Sequence, residues 1–184
     1  MIDSHAHVGR PEFDPDREDV VARAVRAGIS VIVEAGTDAL TSRRAIDLAR
    51  THRCVRAAVG IHPCDVRSDR AAELEVIESL AREPEVVAIG ETGLDFHWED
   101  SAPPEVQEEF LRRHIAISRS AGKPLVLHHR NAGNRVAEIL EEEGPQISDV
   151  GVVVDGGSTG VQGDLPILHR DHRVDSPRQG VEQG

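Results

Sequence analysis

Residues Asp3 to His7, the stretch DSHAH, put two imidazoles at alternate positions behind an acid. In an extended strand, residues i and i+2 face the same way about 6–7 Å apart, so His5 and His7 look toward one point. Two imidazoles aimed together are chemistry for a divalent ion. Three later stretches carry side chains of the same kind: His62 in VGIHP, Glu91 and Asp95 in AIGETGLD, and His128 and Arg130 in PLVLHHR. Imidazole with carboxylate suits zinc, manganese or iron, and magnesium where oxygens dominate. Each feature alone is weak, since an HxH pair, a glutamate capping a turn or the His128-His129 pair occurs without a ligand. Their joint placement is what carries weight.

That placement follows from the elements around them. Short β-branched runs fall at Met1–His5, Ile29–Glu34, Val55–Gly60, Val86–Gly90, Leu125–His128 and Val150–Val154. Helical periodicity fills the gaps at Arg17–Ala27, Leu40–Thr51, Ala71–Ala81, Pro104–Ser120 and Asn134–Glu143. Gly28, Gly122 and Gly144 stand where helices end, and Pro124 follows one of them. Strands alternating with helices imply an α/β fold with a mostly parallel sheet. A doubly wound sheet would carry a phosphate loop or glycine fingerprint after a strand, and none is present; GETG and AGTD read as ordinary turns. A TIM-type (β/α)8 barrel gathers its chemistry at the C-terminal ends of several strands, which is where these polar residues fall. Such a barrel takes about 250 residues. This sequence of 184 offers about five βα units and a sixth strand, so the expected barrel is incomplete. The expected division is a partial barrel over 1–154 and an irregular, poorly ordered tail over 155–184, where Gly-rich text lacks helical periodicity. His52, His97, His114, His169 and His172 read as surface or loop residues.

Composition narrows the function. Net charge is −12, which repels phosphate backbones at long range unless metal ions or a local basic patch intervene. Aromatics are 2% of the chain, which argues against stacking platforms as a general grip on single-stranded nucleic acid. Cys54 and Cys64 make neither a disulfide framework nor a zinc-knuckle spacing, so reduced thiols in the cytoplasm are expected. No apolar run is long enough for a membrane span and no signal peptide opens the chain, so no membrane partner is expected.

The stretches IDSHAHV (2–8), VGIHPCD (59–65), AIGETGLDFHW (88–98) and KPLVLHHRNA (123–132) resemble, in order and spacing, the TatD-like metal-dependent deoxyribonucleases of the amidohydrolase superfamily. The resemblance covers about residues 1–150. It implies a TIM barrel, hydrolysis of phosphodiester bonds, commonly as a 3′ to 5′ exonuclease on DNA, and one or two divalent ions (magnesium, manganese or zinc). It implies that His5 and His7 hold a first ion, that Glu91 touches both, and that His128 holds a second. His62, Asp95 and Arg130 resemble residues near the substrate. The family also has a histidine in a segment like GVxHCFSG, where this chain has Val154-Asp155-Gly156, and a later aspartate that serves as ligand and general base. Neither is found here, and Asn131 replaces an acid often found two residues before the position of Gly133. The chain therefore reads as a truncated or frame-shifted relative with impaired activity and no assigned catalytic base. Two other readings stay open: a non-catalytic metal-binding fragment self-associating through exposed barrel edges, and an amidohydrolase acting on an amide, ester or lactone.

Overall fold

A computed structural model describes residues 1–144 and the backbone of 150–155. The strands are β1 (Ile2–Ala6), β2 (Val31–Ala35), β3 (Val55–Val59), β4 (Val86–Asp95), β5 (Leu125–Arg130) and β6 (Val150–Asp155). Between them run α1 (Arg17–Arg26), α2 (Ala39–Thr51), α3 (Glu73–Leu80), α4 (Pro104–Ala121) and α5 (Arg135–Glu143). All neighbouring strands are parallel, and their order in the sheet is the order in the chain. A doubly wound sheet reverses its order at a switch point. Strict sequential order with one hand of crossover instead keeps the helices on one side, as in an arc of a barrel. The anticipated tail lies outside the described residues, apart from Asp155, which ends β6; His169 and His172 lie outside them too.

Side-chain alternation divides the sheet's two faces, with a register irregularity between Val86 and Ala88 of β4 that lets those two residues face opposite sides. Toward the helices, Ala57, Val59, Val86, Ile89, Leu125 and Leu127 pack against Ile46, Leu74, Ile77, Leu111 and Ile115 in one buried cluster. Toward the inside, Ala58, Ala88 and Val126 form a small cluster with Val33. Residues of inward parity near the strand ends carry the polar groups, so His128 follows Val126 and His7 follows His5. Small residues inside let the strands curve around the space that their polar ends enclose.

The GETG segment departs from its reading as a turn. β4 continues through it to Asp95, with a register irregularity against β5 between Ile89 and Thr92. Gly90 and Gly93 both have φ of +140°, and a Cβ there would stand 2.3 Å from the Val126 carbonyl oxygen and 2.0 Å from that of His128. Only glycine combines that backbone with so close an approach. The bulge re-aims β4 so that Glu91, Thr92 and Asp95 all come to lie buried.

Helix α4 fastens two strand ends. Pro104 opens it and Gly122 caps it. Gln107 accepts from the Asp95 N–H at 2.8 Å and donates to the Asp95 carbonyl at 3.0 Å. His114, expected at the surface, is completely buried: its Nε2 accepts the Ile61 N–H at 3.0 Å, and its Nδ1 donates to the Phe110 carbonyl at 2.7 Å. Phe110, Gln107 and Ser118 share that buried face, and an imidazole with both nitrogens bonded can join it at little cost. His52 ends α2 with its Nε2 3.3 Å from a Glu18 carboxylate oxygen.

Candidate metal centre

Glu91 is the hub of the strand ends. Its Oε2 lies 2.8 Å from His5 Nε2 and 3.3 Å from His7 Nε2; its Oε1 lies 3.1 Å from His128 Nδ1 and 3.6 Å from His62 Nε2. Two groups of donor atoms, His5–His7–Glu91 and His62–Glu91–His128, are each compact enough to surround an ion. Four strand ends thus meet at one carboxylate. Burial opposes its charged form, but hydrogen bonds from His128, His5 and His7, made when these rings carry a second proton, outweigh burial and hold the Glu91 carboxyl far below the usual carboxylate range. The same contacts work in reverse on the rings. The bond to Glu91 raises the His7 pKa, and for His128 burial pulls down while Glu91 and Asp95 pull up and win.

The partners on the far side of each ring set which nitrogen faces inward. His7 Nδ1 is 2.9 Å from the Ala35 carbonyl, an acceptor only, so Nδ1 carries the proton and the Nε2 lone pair points at Glu91. His128 Nε2 is 2.9 Å from Asp95 Oδ2, so Nε2 carries its proton and Nδ1 faces Glu91. A bare ring nitrogen and a carboxylate oxygen at such distances repel each other unless a proton or a cation lies between them. A divalent ion satisfies this donor set: nitrogen and oxygen lone pairs converge, and outer partners hold the rings. His62 differs, because its Nδ1 accepts the Cys64 N–H at 3.1 Å, which leaves the proton of the neutral ring on Nε2. Burial drops its pKa to about 4 despite Glu91, so the ring is neutral near pH 7 and presents a donor rather than a lone pair.

The sequence-predicted residues fall into four places. His5, His7, Glu91 and His128 converge. His62 joins them as a flanking donor. Asp95, expected near the substrate, is 1% exposed and stands behind His128; Oδ1 accepts the His97 N–H and Oδ2 the His128 Nε2–H and Cys64 Sγ–H. Burial weighs against its charge, yet those bonds, from His97 first, lower its pKa. Arg130 sits at the rim with its guanidinium carbon 5.2 Å from the Trp98 ring centroid. Cys64 is held as a thiol: burial and then Asp95 push its pKa up to about 12.

Three contributors went unread in the sequence. Ala35 acts through its carbonyl, which leaves no mark in residue type. Gln107 lies one helical turn before Phe110 on the apolar face of α4, and a polar residue on that stripe is a signal. Glu34, in the apolar run VIVEA, is another: it is buried, its Oε1 accepts the Gly9 N–H at 2.8 Å, and it ties down the loop that leaves the HAH segment. Burial raises its pKa.

The family model described as TatD related DNase matches residues 2–155. The chain belongs to that family. The metal-dependent hydrolase YabD of Bacillus subtilis is 37% identical over 146 residues, 79% of this chain and 57% of that protein. The 3′-5′ ssDNA/RNA exonuclease TatD of Escherichia coli K12 is 38% identical over 141 residues, 77% of this chain and 54% of its own. The crystal structure of YjjV, a TatD homolog from Escherichia coli K12, superposes with a TM-score of 0.69 at 31% identity, covering 77% of this chain and 55% of that one. A TatD family hydrolase from Entamoeba histolytica, at 21% identity and TM-score 0.71, shares the fold. This TatD-family chain spans a little over half the length of the relatives it matches. Among the described residues no helix is long and apolar enough to cross a membrane.

Proposed function

We propose that this TatD-family chain serves metal-dependent hydrolysis of phosphodiester bonds in single-stranded nucleic acid, DNA first. The observation that carries the reading is the single buried carboxylate, Glu91, met on both oxygens by imidazoles from β1 and β5. His5, His7 and Glu91 would hold one divalent ion, and Glu91 with His128 a second. Such ions supply a bound water of lowered pKa and polarise a phosphoryl oxygen.

The protein's own part is orientation and proton placement. Asp95 keeps the His128 proton on Nε2, and the Ala35 carbonyl keeps that of His7 on Nδ1, so both inner nitrogens present lone pairs toward Glu91, that of His128 shared in this structure with the His62 Nε2–H. His62 Nε2–H points at His128 Nδ1, 3.1 Å away, and would turn to a phosphoryl or leaving oxygen once that nitrogen's lone pair is taken by an ion. Arg130 brings a positive charge to the rim of a strongly acidic protein. Val154, at the position where the family resemblance implies a further histidine, lies in register with His128, and turnover is accordingly expected to be slow.

The test is calorimetric titration with manganese followed by cleavage of labelled single-stranded DNA. The expected result is metal binding and slow, chelator-sensitive cleavage, both abolished by Glu91→Gln. Cleavage indifferent to chelator, or metal uptake unchanged in Glu91→Gln, would overturn the reading.

A further inference from the structure

Trp98, the only tryptophan of the chain, stands just beyond the C-terminal end of β4 and is 51% exposed. An indole left half in water beside a polar cleft is unusual in a protein with 2% aromatics. It is nonetheless held in place. The His97 ring packs edge-on to it with centroids 4.6 Å apart, Asn131 Nδ2 lies 3.3 Å from His97 Nδ1, and the His97 N–H donates to Asp95 Oδ1. Asp95 in turn grips His128, so one chain of contacts ties the indole to the candidate metal centre. The Arg130 guanidinium carbon lies over the ring at cation–π distance. In a chain of net charge −12 it makes no ion pair and no side-chain hydrogen bond among the described residues, so its N–H donors are unclaimed there.

We infer that Trp98 and Arg130 form a nucleotide subsite at the mouth of the centre. The exposed indole takes the flat face of one base of a single-stranded substrate, and the guanidinium takes oxygens of an adjoining phosphate. A ring surface together with an uncommitted guanidinium matches the two halves of a nucleotide, and neither group alone would. Low aromatic content excludes an extended stacking platform; one indole at the cleft suffices for one base. The inference rests on the phosphodiesterase reading for the class of substrate.

With no tyrosine and one tryptophan, intrinsic fluorescence reports Trp98 directly. The experiment titrates the chain, in chelator to prevent cleavage, with a short oligothymidylate and with an abasic strand of equal length. The base-bearing strand should quench the emission and bind roughly 5- to 150-fold more tightly, the range for one base stacked on an aromatic ring. By anisotropy of labelled strands, Trp98→Ala should erase that preference and Trp98→Phe should retain part of it, with manganese uptake unchanged in both. Arg130→Ala should weaken both strands and reduce the salt dependence of log K by about one phosphate contact. Equal affinity for the two strands, or a preference that survives Trp98→Ala, overturns the subsite. Cleavage without base preference would deny the subsite and keep the hydrolase reading; base-dependent binding with no metal-dependent cleavage would do the reverse.

Discussion

Asp95→Asn should weaken divalent-metal binding by about ten- to a hundredfold while leaving a folded protein. The carboxylate is fully engaged: Oδ1 accepts the His97 N–H at 3.0 Å, and Oδ2 accepts His128 Nε2–H at 2.9 Å and Cys64 Sγ–H at 3.5 Å. An asparagine has one acceptor oxygen for these two sides. With its NH2 toward His128, two donors face each other and the ring must move its proton to Nδ1, blocking the lone pair aimed at Glu91. With its NH2 toward His97, the backbone N–H of that exposed residue loses its protein acceptor. The first arrangement costs metal affinity, about 1.4–2.7 kcal/mol for the fold-change above. The second costs folding stability, about 0.5–1.5 kcal/mol for one hydrogen bond lost at a donor that water can reach. Manganese calorimetry and metal-free urea denaturation separate the two. An Asp95→Asn protein with parental metal affinity and parental stability would refute the claim that this carboxylate orients His128.

Acid should act on the core through His114. Its pKa is driven to about 4 by burial, against 6.5 when unfolded, so the unfolded chain binds the extra proton and stability falls as pH drops from about 6.5 to 4. The gap corresponds to about 3 kcal/mol, complete below pH 4 and absent above 6.5; His114→Leu should show lower stability near neutrality but a flatter acid limb in denaturant titrations at several pH values. Metal binding should weaken in the opposite sense to ring basicity. The pKa values of His7 and His128 are raised, so protons compete from above pH 6.5 downward, and calorimetry at pH 8 and pH 6 should show tighter binding at the higher pH. Gly93→Ala should cost about 3 kcal/mol or more in urea denaturation, because its φ of +140° suits only glycine and the new Cβ would meet the His128 carbonyl oxygen at 2.0 Å.

Alternation of β-branched runs with amphipathic stretches was enough to locate six strands and five α-helices among the described residues, because burial on one face imposes a period that survives in residue type. Where chemistry replaced packing the reading slipped. β4 looked finished at Gly90 since Gly-rich text normally marks a turn, yet those glycines serve close approach to β5 and carry the strand five residues further. His114 looked like a surface residue because histidine usually is one, although its spacing of four from Phe110 put it on the buried stripe of α4. His5, His7, Glu91 and His128 were legible as a set, because each stands at a strand end and a parallel barrel brings strand ends together.

By itself the sequence determined the parallel α/β architecture and the four side chains that meet, since periodicity and strand-end position are properties of the chain read in order. Only the tertiary structure decided what each ring does: a backbone carbonyl turns His7, a buried aspartate turns His128, a backbone N–H turns His62 the other way, and a guanidinium settles on Trp98. The physical reason is that protonation and orientation are set by the partner on the far side of each ring. Those partners are main-chain groups or residues distant in sequence, brought within hydrogen-bond reach only when the strands pair.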